Sequence, residues 1–145
     1  MEKHELSFVG WRETVGLPLF KLKDLRAKID TGAKTSALHA DKIELIYEGS
    51  KKFVRFLFIT EEGKHQWIKC NLIEERYIKS SNGDKTLRPV VKTEIKMGTE
   101  RFEIEVTLIN RDLMGFKMLI GREALNGRFL INPARHNLLN KIKKE

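Results

Sequence analysis

The sequence predicts an all-β protein, a barrel or a sandwich, from three observations. Short segments of alternating apolar and polar residues recur along the chain, turn residues separate them at short intervals, and helical periodicity is scarce. The clearest segment is 101–109, in which Phe102, Ile104, Val106 and Leu108 share one face and indicate a half-buried strand. Short strands joined by tight turns should therefore make up most of the chain.

Turn signals define the individual strands. Glycines at 49, 63 and 98 separate alternating segments, and Asn82-Gly83 is the strongest hairpin signal because both residues tolerate the left-handed backbone of a two-residue turn. Strands are predicted at 25–29, 43–47, 52–59, 65–70, 76–79, 86–91, 90–97 and 101–109. The best helix candidate is one or two turns at 122–126, ended by Gly127.

Length and composition indicate one globular domain. With 145 residues, 41% hydrophobic and 33% charged, we expect a single domain over 1–145, with flexible arms at 1–12 and 140–145. The apolar runs are too short to span a membrane, and residues 1–6 lack the apolar segment of a signal peptide. A single cysteine, Cys70, excludes an internal disulfide and favours a reducing compartment, so we expect a cytoplasmic protein without a membrane partner.

The net charge of +8 favours acidic partners, either nucleic acid or acidic polypeptide. A solvated basic surface explains the same charge. Basic residues are spread along the chain, apart from the tail at 141–144, and no ladder of arginines and aromatic residues indicates a platform for single-stranded nucleic acid.

Asp30-Thr31-Gly32 is the triplet that points to chemistry. It follows the predicted strand 25–29, so it places a carboxylate at a strand end, on a turn set by a small hydroxyl residue and a glycine. The same triplet also serves as ordinary turn chemistry. A second signal, Gly121-Arg122, follows the apolar run 118–120 and precedes the short helix.

The triplet, the Asn82-Gly83 hairpin and Gly121-Arg122, in this order, resemble the retropepsin-like aspartic endopeptidases, the class of the retroviral proteases. Segments 27–40, 111–114 and 118–125 are most similar to a bacterial branch once labelled ATP-dependent zinc proteases. Members of that branch occur beside ATP-grasp ligases that add glutamates to a ribosomal protein. The resemblance covers most of residues 10–133. It implies a closed six-stranded acid-protease barrel with one short helix after the Gly-Arg motif.

The resemblance also assigns roles to residues. Asp30 matches the catalytic aspartate, and Thr31 matches the threonine whose hydroxyl bonds across the two active-site loops. Gly32 matches the glycine that lets the loop backbone pass close to the catalytic pair. Further matches are the loop residue Ala33, the supporting pair Gly121 and Arg122, and a substrate-covering flap at 76–88 with Ser80, Ser81, Asn82 and Gly83 at its tip.

This chemistry needs two carboxylates, one protonated while the other activates water. The chain has one Asp-Thr-Gly, and Asp41, Asp84 and Asp112 are not followed by Thr-Gly or Ser-Gly. The resemblance therefore implies a homodimer, with Asp30 facing its symmetry mate. A polypeptide is the implied substrate, and the basic charge and the family's gene neighbourhood favour an acidic or glutamate-modified one.

Two features depart from the retroviral pattern. Many retropepsins carry an acidic residue two positions after the catalytic glycine, where it pairs with the arginine of Gly-Arg. Here Lys34 stands at that position, so Arg122 must find another partner. Segment 41–75 is an insertion that should add one or two hairpins.

Other readings of the residues remain open. No His-Glu-x-x-His motif supports the zinc label, and no Gly-x-x-x-x-Gly-Lys-Ser/Thr motif supports ATP binding, so we expect neither metal nor cofactor. Catalysis through Cys70 would need an activating base, and a packing role fits its strand better. The alternative function is a non-catalytic basic β-barrel module that binds the ribosome, RNA or an acidic protein.

Overall fold

The computed structural model describes residues 6–80 and 82–139, and the fold is nearly all-β, with 62% strand and 5% helix. A 3-10 turn at Pro18–Phe20 links the second and third strands. The elements in chain order are β1 (Ser7–Val9), β2 (Arg12–Leu17), β3 (Leu22–Ile29), β4 (Ser36–His39), β5 (Asp41–Glu48), β6 (Lys51–Ile59), β7 (His65–Asn71), β8 (Glu74–Lys79), β9 (Lys85–Met97), β10 (Glu100–Ile109), β11 (Met118–Ile120), α1 (Arg122–Leu125) and β12 (Phe129–Ile131).

Six strands close into a barrel. Their order is β10, β4, β11, β3, β2 and β9, and β9 pairs with β10 to complete the ring. Both β4–β10 and β3–β11 are parallel pairs, whereas β9 and β10 form an antiparallel hairpin around Gly98. The predicted all-β fold, the closed six-stranded barrel and the short helix at the Gly-Arg motif are all confirmed.

The strand pattern explains the core. Alternate residues of β9 and β10 point inward, and Val91, Ile95, Val106 and Leu108 are almost completely buried. The side-chain period of two in a strand therefore decides which face of each strand fills the barrel. The segments at 86–91 and 90–97 are one continuous strand, β9, rather than two.

Residues 41–71, within the segment predicted to be an insertion, form a separate three-stranded sheet, β5–β6–β7, with antiparallel pairs joined at the two predicted glycine turns. Its inner face is apolar, and Phe56 and Phe58 join the main core. Phe20 packs edge-to-face on Phe56 at 6.0 Å between ring centroids, and Gln66 Nε2 donates a 2.6 Å hydrogen bond to the carbonyl of Phe20. The sheet is therefore attached to the barrel by packing and by a hydrogen bond.

The expectation of a flexible arm over 1–12 is wrong for its second half. Residues 7–9 form β1, which pairs in parallel with β12, and Arg12 begins β2. Three residues are too few to show a hydrophobic periodicity, so this strand could not be predicted from patterning. It is ordered by its pairing with β12. Residues 1–5 and 140–145, which include the other proposed arm, lie outside the described residues.

A buried carboxylate fixes the two chain ends together. Glu13 is 1% exposed and accepts hydrogen bonds from the backbone N–H groups of Gly10 (2.7 Å), Leu138 (2.9 Å) and Leu139 (3.1 Å). A buried charge is tolerated when it is well hydrogen-bonded. Glu13 therefore holds the segment after β12 against the start of β2.

No helix among the described residues is long and apolar enough to cross a membrane.

Candidate active site

Asp30 follows the last residue of β3 and opens the loop that leads to β4. Its backbone N–H donates to the carbonyl of Ile120 at 2.9 Å, which extends the parallel pairing of β3 with β11 by one step. The side chain is half-buried. Because β11 itself lies between β3 and β4, the start of the loop is held by the barrel rather than by the loop's own contacts.

The triplet forms a tight turn around its own carboxylate. The N–H of Gly32 donates to Asp30 Oδ1 at 3.0 Å, and the N–H of Ala33 donates to the carbonyl of Asp30 at 3.2 Å. A Cβ at position 32 would lie 3.2 Å from the same carboxylate oxygen, closer than ordinary contact. This geometry explains why position 32 is a glycine, and it orients Asp30 Oδ1 toward the loop backbone.

The second motif holds the loop from the other side. The backbone N–H of Arg122 donates to the carbonyl of Ala33 at 2.8 Å, and that of Glu123 donates to the carbonyl of Lys34 at 3.0 Å. These are first-turn N–H groups of α1, which have no partner inside the helix. The start of the helix and the Asp30 loop therefore satisfy each other's backbone groups.

Gly121 is required by close backbone approach. A Cβ there would lie 2.8 Å from the carbonyl carbon of Thr35 and 2.9 Å from the carbonyl oxygens of Lys34 and Thr35. Its N–H donates to the Oγ of buried Ser36 at 3.1 Å. The loop passes directly over this glycine, so any side chain would push the loop away.

The structure identifies the partner of Arg122. Its Nη1 donates to the backbone carbonyl of Thr31 at 2.9 Å. The partner of this arginine is therefore a backbone carbonyl, whereas in the retroviral pattern it is a side-chain carboxylate. Lys34 is exposed and contributes its backbone carbonyl to the network. Both residues of Gly121-Arg122 thus contact the loop that contains the triplet.

The predicted hairpin is present, and its role as a flap stays a prediction. Strands β8 and β9 pair in register from Glu74–Val90 to Lys79–Lys85. At the tip, Gly83 N–H donates to the carbonyl of Ser80 at 2.9 Å, and the Ser80 hydroxyl bonds Asn82 Oδ1. Ser81, the remaining tip residue of the prediction, lies outside the described residues.

The side chains weighed for other chemistry are separated. Cys70 and His65 lie at opposite ends of β7, paired with Val54 and Ile59. Burial raises the pKa of the Cys70 thiol to about 11, the opposite of what a nucleophile needs. Within 6–80 and 82–139, no three His, Cys, Asp or Glu side chains are grouped so as to hold a metal ion.

Sequence reasoning missed two residues that shape the site. Ser36 holds Gly121 through its hydroxyl, and Thr35 Oγ1 donates to Glu123 Oε1 at 3.4 Å. Both follow the triplet within four residues, and a pair of hydroxyl residues at the start of a strand was the available signal. Their partners lie more than 80 residues away, so only the folded chain shows the contacts.

Three comparisons place the chain among known proteins. A family model described as "RimB-like: Retropepsin-like aspartic endopeptidase RimB" matches residues 8–142. A crystal structure of a protein of unknown function (DUF785) from Legionella pneumophila superposes with a TM-score of 0.77 at 29% identity, over 94% of this chain and 100% of that one.

Curated relatives carry a different name. The chain is 35% identical over 140 residues to a probable alpha-L-glutamate ligase of Desulfotalea psychrophila, which covers 94% of this chain and 30% of the relative. It is 34% identical over 129 residues to a probable alpha-L-glutamate ligase of Shewanella pealeana, which covers 87% of this chain and 28% of the relative. The chain therefore spans less than a third of the length of these relatives.

Proposed function

The chain belongs to the RimB-like family of retropepsin-like aspartic endopeptidases, and from that premise we propose that it hydrolyses peptide bonds as a homodimer. The proposal rests on one observation, that hydrogen bonds fix the position of the loop that carries Asp30. Its loop is fixed by β11, by Gly121 and by the first turn of α1, all at the end of a barrel strand. A carboxylate held in this way matches what a positioned acid–base catalyst requires.

The proposed chemistry uses one Asp30 from each subunit. Two carboxyl groups a few ångström apart share one proton, because both cannot be charged at once. The charged Asp30 accepts a proton from a water molecule while the water oxygen attacks the substrate carbonyl carbon. The protonated Asp30 donates its proton to the carbonyl oxygen. The diol then collapses and the C–N bond breaks. The Asp30 that took the water proton donates it to the amine nitrogen, and the other Asp30 takes a proton from a diol hydroxyl, whose oxygen becomes the carbonyl oxygen of the new acid.

A surface suited to dimerisation lies at the β1–β12 pair. These strands form a two-stranded sheet, an arrangement that is marginal in isolation. The cross-strand neighbours Phe8 and Leu130 are 57% and 45% exposed. A second copy pairing along this sheet would bury both side chains and satisfy the open strand edge. This supports the homodimer that the single triplet requires.

We further propose that the substrate is an acidic or glutamate-modified polypeptide in the cytoplasm. The net charge of +8 supports attraction of an acidic chain. Relatives named glutamate ligases contain a stretch similar to this chain, which couples the family domain to glutamate ligation. The single thiol Cys70 suits a reducing compartment.

The test compares Asp30→Asn with Asp24→Asn. Both remove one carboxylate charge, but Asp24 lies on β3 with a backbone φ of 54°, which asparagine accepts readily. Cleavage of a glutamate-rich reporter peptide should fall by at least about a thousandfold in Asp30→Asn, a loss in the range seen when a catalytic group is removed. Asp24→Asn should retain cleavage of the reporter peptide.

Sedimentation velocity should give a dimer for both variants. Undiminished cleavage by Asp30→Asn would sink the proposal.

The alternative, a binding module without catalysis, has one observation in its favour. On the outer face of the β5–β7 sheet, Arg55 lies 3.7 Å from the ring centroid of Trp67, and Lys69 lies 4.6 Å from that of Phe53. Trp67 is 46% exposed. Basic and aromatic side chains together can stack on and neutralise RNA. Salt-sensitive RNA binding that ignores Asp30→Asn would favour this reading.

A further inference from the structure

A basic cavity lies at the end of the barrel opposite to Asp30. It has a volume of about 690 Å³, within the range of about 300–1,000 Å³ that small-molecule sites occupy. Its lining includes Leu22, the first residue of β3, and Gly98, in the turn between β9 and β10. Asp30 follows the last residue of β3, about 26 Å further along that strand. The cavity is therefore separate from the candidate active site.

Four cationic side chains line the cavity, and they come from four places in the chain. Lys21 follows the 3-10 turn, Lys23 lies on β3, Lys96 on β9 and Arg101 on β10. Asp24 is the single acidic residue of the lining among the described residues. The fold thus collects positive charge that the sequence spreads over 80 positions.

Most of this charge has no counterion within the protein. Lys96 lies directly opposite Arg101, and like charges in opposite positions destabilise a strand pair. Arg101 Nε donates to Glu94 Oε1. In the part of the chain that the structure describes, the ammonium groups of Lys21, Lys23 and Lys96 have no carboxylate within 4.0 Å. An external anion would relieve the repulsion.

A glycine keeps the centre of this basic cluster open. Gly16 pairs with Lys96 across the strands, at the irregularity of β2 between Val15 and Leu17. A Cβ at position 16 would lie 3.5 Å from the carbonyl oxygen of Leu22 and 3.9 Å from the Cβ of Lys96, both ordinary contacts. Neither a close backbone approach nor a left-handed φ requires glycine here. The missing side chain instead leaves space inside the cavity.

We propose that this cavity, defined by Gly16, Lys21, Lys23, Lys96 and Arg101, binds a chain of linked phosphate groups. Neighbouring phosphates share an oxygen, so their charges are denser than those of carboxylates on one side of an extended peptide, about 6.6 Å apart. Four cations around one concavity match the denser charge. Lysine binds phosphate as a point charge and arginine through its planar fork. No aromatic ring lines the described cavity, so the phosphates rather than a base are recognised.

The site goes beyond the proposed peptidase and does not depend on it. Calorimetry on the full chain with inorganic tripolyphosphate should show saturable binding that weakens with salt. Lys21→Gln with Lys96→Gln should weaken that binding by about tenfold, because each exposed ion pair contributes little by itself. Asp30→Asn should bind as the wild type does. Unchanged affinity in the variant that lacks both lysines would overturn the proposal.

A matched control removes two charges elsewhere. Lys51 and Lys52 begin β6, are exposed, and lie outside the cavity. Lys51→Gln with Lys52→Gln should bind tripolyphosphate with wild-type affinity. An equal loss in this control would show a general charge effect and would remove the cavity site.

A second variant closes the cavity and keeps every charge. The side chain of Gly16→Val would project into the space beside Lys96 and should weaken tripolyphosphate binding by at least about tenfold. Urea unfolding shows whether this variant is folded. A folded Gly16→Val chain that binds with wild-type affinity would contradict the proposal, and the two lysine variants decide the question if it does not fold.

Two further ligands identify the chemistry that is recognised. ATP should bind about as tightly as tripolyphosphate, since both carry three linked phosphates, and hexaglutamate should bind at least about tenfold more weakly. Binding of ATP alone, or equal binding of hexaglutamate, would refute recognition of a phosphate chain. Reporter-peptide cleavage is a separate readout. Phosphate binding without cleavage removes the peptidase and keeps this site, whereas cleavage without phosphate binding removes this site alone.

Discussion

The guanidinium of Arg122 donates a hydrogen bond from Nη1 to the backbone carbonyl of Thr31 at 2.9 Å, across 91 positions of sequence. The residue after the candidate catalytic aspartate is therefore held by a side chain that begins α1. Backbone bonds from Arg122 and Glu123 to Ala33 and Lys34 act beside it. The two motifs are therefore joined by both side-chain and backbone hydrogen bonds.

Arg122→Ala should lower peptidase activity by about tenfold to a hundredfold with a small loss of stability. The backbone bonds of the helix remain, but Thr31 loses its side-chain donor, and small misplacement of a catalytic group is costly. An exposed hydrogen bond contributes about 0.5–1.5 kcal/mol to the free energy of unfolding. Reporter-peptide kinetics and urea unfolding give the two values. Arg135→Ala, which removes an exposed guanidinium and keeps the backbone bond to Trp11, is the control; equal activity in both variants would contradict the role of Arg122.

Gly121→Ala should destabilise the protein by about 1–3 kcal/mol, because the new Cβ would overlap the backbone at Lys34 and Thr35. Peptidase activity should fall by more than the loss of folded protein accounts for, because the displaced backbone atoms belong to the Asp30 loop. Gly16→Ala is the matched control, because its Cβ would meet the carbonyl of Leu22 at an ordinary 3.5 Å. Urea unfolding measures the difference, and equal stabilities for the two variants would refute the steric account.

Glu13→Gln should lower the free energy of unfolding by about 1–3 kcal/mol. The two carboxylate oxygens accept three backbone N–H bonds, and the amide NH₂ of glutamine would face at least one of these donors. Glu62→Gln, at an exposed turn position, should be neutral. Limited proteolysis should show earlier cleavage after β12 in Glu13→Gln, and a cleavage pattern like that of the parent would argue against the proposed link between the chain ends.

Cys70 should resist alkylation while the protein is folded. Burial raises the pKa of its thiol from 9.0 to about 11, so the reactive thiolate is scarce at pH 8. Because the thiol loses its proton more readily in the unfolded chain, its contribution to stability is complete below pH 9 and is lost as the pH rises toward 11. Iodoacetamide should label the urea-unfolded chain at least about tenfold faster than the folded chain at pH 8, and equal rates would show that the thiol is accessible.

Local patterns in the sequence predicted most of the strands, and the reason is visible in particular residues. Phe102, Ile104, Val106 and Leu108 alternate because β10 has one face in the core. Gly83 turns the chain between β8 and β9 with a φ of 93°, a backbone that favours glycine. Patterning failed at β1, where three residues are ordered by pairing with β12, more than 100 positions away. Such pairing leaves no periodic trace.

The sequence by itself indicated the main residues of the candidate site, because Asp30-Thr31-Gly32 and Gly121-Arg122 are short motifs of contiguous residues that are recognisable without the fold. Only the tertiary structure decided how the two motifs meet, with the Thr31 carbonyl as the partner of Arg122 and the Ser36 hydroxyl as the support of Gly121. The physical reason is that hydrogen bonds and charge pairing depend on distances of a few ångström. Barrel closure, which brings β3, β4 and β11 side by side, sets those distances.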